Sequence, residues 1–420
     1  MQVQFFNKDG IKIAIVPSGS EVAFYAIGTL AGARFETKEE AGFAHFVEHM
    51  FFKGTQKYDW NELNHLFARY GIMQNAATSQ ENITVHASFP KDESVQAISL
   101  INEIFFNSIF PEKELETERK VILREKDMYD DDPNSIFMER GTNHYFAWDI
   151  AHSALGTTET INSAARENLL QYLKRNISLF ENVAFVFSGN IDGNKVLDCI
   201  LNSIPFESIY ADKKERPAAK TAYWNDDAFK IQRQDFRFSH EKTIQTHVAS
   251  VTEGINALDP TFPALKLAVS ALGSGMVSPL YTRIREELGL CYYISSNAYS
   301  IAYPDSTIFS IMSMTAPHQV DLLIEESDRI CEKLAKEGIS EDLFICTKNP
   351  YLCRMMRNME SSSSMGYAIL QPFLYGTEMT AEEYIAAYKE VTLKQCNEAL
   401  EMILSRPRHW MVMNPETVAK

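Results

Sequence analysis

Apolar and polar positions along this chain run through the same order of elements twice. The first stretch, residues 62 to 106 (ELNHLFARYGIMQNAATSQENITVHASFPKDESVQAISLINEIFF), reads as helix, glycine turn at Gly71, polar strand, β-rich strand, Pro90 and an amphipathic helix. Residues 280 to 335 repeat it, with the turn at Gly289 and the proline at Pro317. A charged helix follows each copy, PEKELETERKVILREK in the first and SEDLFICTKNPYLCRMM in the second. Identity between the copies is low; the order of elements carries the repeat. The N-terminal MQVQFFNKDGIKIAIV reads as strand, Asp9-Gly10 turn and strand. Between the copies, 207 to 223 is charged, contains proline and alanine, and lacks periodicity, which marks a linker. The pattern predicts an α+β chain, a tandem repeat of two similar domains, each a mostly antiparallel sheet with helices on one face. The expected boundaries are 1–209, a linker at 210–224, and 225–420.

Composition adds limits. The chain has 420 residues and a net charge of −16, so nucleic acid and anionic membranes are expected to be repelled. VAFYAIGTLAGA is too short to span a bilayer, and nothing at the N-terminus reads as an export signal. Six cysteines occur without a CxxC pair, and all but Cys199 fall in the second half. Reduced thiols in a cytoplasmic protein are the simplest expectation.

One apolar run is chemically odd. HFVEHMFF, residues 45 to 52, places two histidines and a glutamate where leucine or alanine would pack without penalty. Thr37-Lys38-Glu39-Glu40 has capping-box spacing and Gly54 could close a helix, so a helix is expected across the run. At about 100° per residue, His45, Glu48 and His49 share one sector. Two imidazoles at i and i+4 can grip one ion, with Glu48 beside them to take a proton from water. This HxxEH order reverses the commoner HExxH. A catalytic zinc needs a third protein ligand. Candidates lie in the helix after Pro111, where Glu118 and Glu125 stand two turns apart on one partly apolar face with Leu115 and Ile122.

Here the chain resembles the pitrilysin/insulysin (inverzincin) zinc metallopeptidases, including the small two-domain bacterial members and the mitochondrial processing peptidases. HFVEHMFFKGT is similar to their metal helix, and ETERKVILRE to the helix that supplies the third ligand. The resemblance implies Zn2+ held by His45, His49 and Glu125, Glu48 as general base, and Glu118 as a carboxylate supporting a metal-bound histidine. NAATSQENITVHA resembles the strand whose edge accepts substrate, which implies Asn75, Ala76, Ala77 and Thr78 as substrate contacts. Ile72 stands where the family usually has a second glycine. In the second repeat, SPLYTRIREELGLCYYI resembles the segment that reaches the peptide and its reacting carbonyl, which implies roles for Arg285 and Tyr292. HSALGTTETI (152 to 161) departs most, since the family often has a Pro-Leu-Gly type loop there.

The second repeat is an internal control. TFPALKLAVSALG, the counterpart of the metal helix, has neither histidine nor glutamate. DLFICTKNPYLC has no acid after Asp342. Only one copy is therefore expected to bind metal. The resemblance implies a zinc endopeptidase that cleaves short or unfolded peptides in a chamber of four such domains. Both motif sets occur in one chain, which favours a homodimer over a division of labour with a related subunit, the alternative partner. The rival expectation is a non-catalytic subunit of a processing-peptidase-like complex.

Overall fold

The computed structural model describes residues 3–8, 10–177, 180–205, 234–304 and 306–416. The linker expected at 210–224 lies outside them. The chain forms two compact units. Unit 1 comprises 1–126, 152–225 and 357–383; unit 2 comprises 127–151, 226–356 and 384–420.

Unit 1 holds a six-stranded sheet: β1 (Gln4–Lys8), β2 (Ile11–Pro17), β3 (Val22–Thr29), β4 (Met73–Thr78), β5 (Ile83–Pro90) and β6 (Val183–Gly189). Its order is β1-β2-β6-β3-β5-β4, and only β2 with β6 is parallel. Unit 2 holds β7 (Phe236–His240), β8 (Thr246–Glu253), β9 (Cys291–Ala302), β10 (Ser306–Thr315) and β11 (His409–Pro415). The order here is β7-β11-β8-β10-β9, and only β11 with β7 is parallel. With β1 set aside, the two orders coincide position for position. The two copies seen in the residue pattern are thus two copies of one sheet topology.

The main helical layer of unit 1 lies on one face of its sheet. Helices α1 (Phe43–Met50), α2 (Trp60–Arg69) and α3 (Ser94–Asn107) pack with Ile13, Ile15, Tyr25, Ile27, Val85, Phe185 and Phe187. The opposite face takes one helix from late in the chain, Ser362–Leu374, whose Ile369, Leu370 and Phe373 meet Ala14, Val16, Phe24, Ala26 and Val186. That second cover accounts for β6, which is buried at every position and has no polar alternation.

Unit 2 receives the matching helix from the first repeat. Helix α4 (Glu112–Asp131) leads into α5 (Pro133–Tyr145), and α5 packs Ile136, Phe137 and Tyr145 on Ala249, Val251, Met411 and Met413. Each covering helix has a glycine where it meets its sheet. A Cβ on Gly141 would run into Met411, and one on Gly366 into Phe24. The compact units therefore differ from the sequence repeats by these two segments. Alternation within a strand reports that a face is buried, but not which distant helix buries it.

Local expectations around the histidine run need correction. The capping box at Thr37 exists, but it heads a 3-10 turn, Lys38–Glu40, and not α1. Gly42, at φ +91°, breaks the chain before α1 begins. Gly54 lies four residues beyond the end of α1 and pairs with Asp59 in an isolated bridge, so it does not close the helix. The α4 expectation fares better, since the helix starts one residue after Pro111.

Candidate metal centre

Helix α1 carries His45 and His49 one turn apart, and α4 brings Glu125 to them. The two Nε2 atoms are 3.2 Å apart. One Glu125 carboxylate oxygen lies 3.7 Å from His45 Nε2 and 3.5 Å from His49 Nε2. Ligand atoms about 2.0–2.1 Å from a tetrahedral zinc are separated by about 3.3 Å. Among the described residues this is the one cluster of at least three histidine, cysteine or acidic side chains compact enough to hold an ion. The donor set, two imidazoles and a carboxylate, is that of a catalytic zinc with an open fourth position.

Electrostatics agree with the geometry. Burial, and then the neighbouring His49, push His45 down to about 4, so its imidazole is neutral and free to ligate at neutral pH. His49 turns its other nitrogen, Nδ1, to Glu118 at 2.9 Å. Lys53 Nζ holds the second Glu118 oxygen at 2.7 Å. Burial alone would raise the Glu118 carboxyl, but the bonds from His49 and Lys53 outweigh it and leave Glu118 below its ordinary value. Glu118 thus stays ionised and orients His49, as carboxylate partners of metal-bound imidazoles do. Lys53 was missed from sequence, although it lies one turn beyond His49 and its spacing could have shown it.

Glu48 is half-buried beside the cluster, and burial raises its carboxyl above the usual range even though a hydrogen bond with Thr78 lowers it. Thr78 ends β4, and its hydroxyl also faces the Ala44 carbonyl at 3.4 Å. β4 pairs with β5 on one side only and is the edge strand of the sheet. Asn75, Ala76, Ala77 and Thr78 therefore sit on an open edge that ends at Glu48. Within it, Ala76 turns into the core and Asn75 accepts from the Ala76 amide at 2.9 Å.

Arg285 and Tyr292 form a pair of their own in unit 2. Arg285 is on a π-helical turn, Tyr281–Glu287, a form often found at functional positions. Its guanidinium lies 5.0 Å from the Tyr292 ring centroid and 4.6 Å from that of Tyr281. Tyr292 is 86% exposed on β9, so its phenol faces solvent.

Sequence and fold comparisons agree on kinship. Residues 15–158 match the family described as "Insulinase (Peptidase family M16)", and 163–350 match "Peptidase M16 inactive domain". The chain is 28% identical over 416 residues to the "Uncharacterized zinc protease YmxG" of Bacillus subtilis, covering 97% of each. It is 24% identical over 347 residues to the human "Mitochondrial-processing peptidase subunit beta", covering 79% of this chain and 68% of that one. A crystal structure of a protease from Helicobacter pylori shares the fold with a TM-score of 0.85 at 18% identity, covering 99% of this chain and 100% of that one. With the inverted histidine motif on α1, the repeated sheet topology and the two family matches, which together run from 15 to 350, this chain belongs to peptidase family M16, the insulinase family, with an inactive-type second domain.

Proposed function

We propose that this chain is a zinc-dependent endopeptidase that hydrolyses short or unfolded peptides. The observation that carries the proposal is the triangle of His45, His49 and Glu125 with Glu48 at its side and Glu118 behind His49. A zinc ion bound there would supply Lewis acidity, polarising the peptide carbonyl and making water easier to deprotonate.

The chain's own residues do the rest. Glu118 fixes the His49 tautomer with Nε2 toward Glu125. Glu48 removes a proton from the attacking water and returns it to the leaving amine, a role suited to a carboxyl raised toward neutrality. The β4 edge holds the peptide as an added strand, so backbone hydrogen bonds supply affinity with little demand on sequence. Arg285 and Tyr292 donate hydrogen bonds to the peptide and its developing oxyanion. The working species is a homodimer in the cytoplasm. The six free cysteines support a reducing compartment. No helix among the described residues is long and apolar enough to cross a membrane.

One observation favours a second reading, in which a related subunit is required. The human relative is itself named as a subunit. The test is hydrolysis of quenched-fluorescence peptides by purified protein and by Glu48→Gln, with bound zinc and molecular mass measured on both. Cleavage by wild type and none by a zinc-loaded Glu48→Gln supports the proposal. Zinc without cleavage in wild type favours the partner-subunit reading, and wild type without zinc ends the metal assignment.

A further inference from the structure

Helix α1 is only eight residues long, begins after a left-handed glycine, and has no side-chain cap from its own N-cap residue. Its first amides are bound from elsewhere. Glu36, whose side chain is fully buried, accepts from Gly42 N at 2.9 Å and Ala44 N at 2.7 Å. His152 Nε2 lies 3.0 Å from the same carboxylate, and the His152 carbonyl accepts from Gln80 Nε2 at 2.9 Å. Thr160 donates its hydroxyl to the Ala41 carbonyl at 2.6 Å. Between these points the backbone of Gly156 presses on Ala41 and Gly42 so closely that neither glycine has room for a Cβ.

The same stretch of chain also grips the other ligand-bearing helix. Arg119 of α4 donates to the Ile161 carbonyl and, at 2.8 Å, to the Ala164 carbonyl. Its guanidinium also covers the Phe46 ring of α1, 5.4 Å from the centroid. Residues 152–164 thus reach the start of α1 indirectly, His152 by way of Glu36 and Thr160 through the Ala41 carbonyl just ahead of the helix, and they bond to α4 through Arg119. Zinc tolerates ligand displacements of only about 0.2 Å. A short helix and a separate long one meet that tolerance only if something fixes one against the other.

We infer that segment 152–164 is a brace that sets the spacing between His45 and His49 on α1 and Glu125 on α4, with His152 and Arg119 as its positioning residues. The inference rests on the zinc reading above. It also gives a task to the stretch where resemblance to the family is weakest.

The test uses the full chain, stripped of metal and titrated with Zn2+ alone against a chromophoric chelator, with a thermal melt of every variant. His152→Ala and Arg119→Met should each bind Zn2+ about tenfold more weakly while folded, the lower end of what supporting residues contribute to metal sites. His152→Gln keeps a donor toward Glu36 and should recover most of the loss. Lower melting temperatures with unchanged Zn2+ affinity would mean the segment serves folding only, and would overturn the inference. Should His152→Ala fail to fold, Thr160→Val removes just one hydroxyl; several-fold weaker binding supports the brace, and unchanged binding refutes it. If wild type itself takes up no Zn2+, the zinc reading is what fails.

Discussion

Lys12 offers a quantitative test of how the late helix is held on the sheet of unit 1. It lies on β2, is 6% exposed, and donates to the carbonyl of Leu374, the last residue of Ser362–Leu374. A cation at a helix C-terminus is favourable, but burial works against the charge. Burial, only partly offset by Glu181, lowers the Lys12 ammonium from 10.5 to about 8. Between those values the unfolded chain keeps a proton that the folded chain has released, so stability rises with pH. The contribution is complete above pH 10.5 and is lost as pH falls through 8. At about 1.4 kcal/mol per pH unit the full window is worth about 3 kcal/mol, of which about 2 kcal/mol falls between pH 7.5 and 10. The bond to Leu374 favours the charged form, which makes this an upper bound. Lys12→Met keeps the apolar stem and removes the titration. Urea unfolding of both proteins at pH 7.5 and 10 should show the variant losing about 2 kcal/mol relative to wild type over that interval. The comparison cancels the tyrosines, whose raised values act in the opposite sense in both proteins. An identical difference at the two pH values would refute the argument.

Three further outcomes are expected. Glu118→Gln leaves His49 Nδ1 without an ionised acceptor and should weaken Zn2+ binding about 10- to 100-fold in a chelator competition; an unaltered affinity would show that Glu118 does not orient His49. Gly42→Ala places a Cβ at φ +91° against Gly156 and should lower stability by more than about 1 kcal/mol, and a variant that melts with wild type contradicts that strain. Phe185→Ala opens the centre of the first core, where the ring is fully buried, and should cost about 3–5 kcal/mol in chemical denaturation; a loss under about 1 kcal/mol would mean the core collapses around the gap.

The sequence by itself determined the elements and the donor set. Helical spacing put His45, Glu48 and His49 in one sector, and the two-turn interval put Glu118 and Glu125 on one face, because both follow from the rise and twist of a single helix. The repeat was legible for the same reason, since strand, turn, proline and helix are local patterns. Choosing Glu125 over Glu118 as the third ligand took the family resemblance, and the structure places Glu125 at the Nε2 atoms and Glu118 at Nδ1. What only the tertiary structure decided is carried by contacts between distant segments. Glu36 and His152 meet across 116 residues, and Lys12 and Leu374 across 362. Neither pair leaves a period or spacing in the chain. Nor does any pattern announce that the first repeat lends α5 to unit 2 and takes back Ser362–Leu374. A two-faced apolar strand states that both faces must be covered, and the choice among several amphipathic helices of similar length rests on shape, including the two glycines that let each helix approach its sheet.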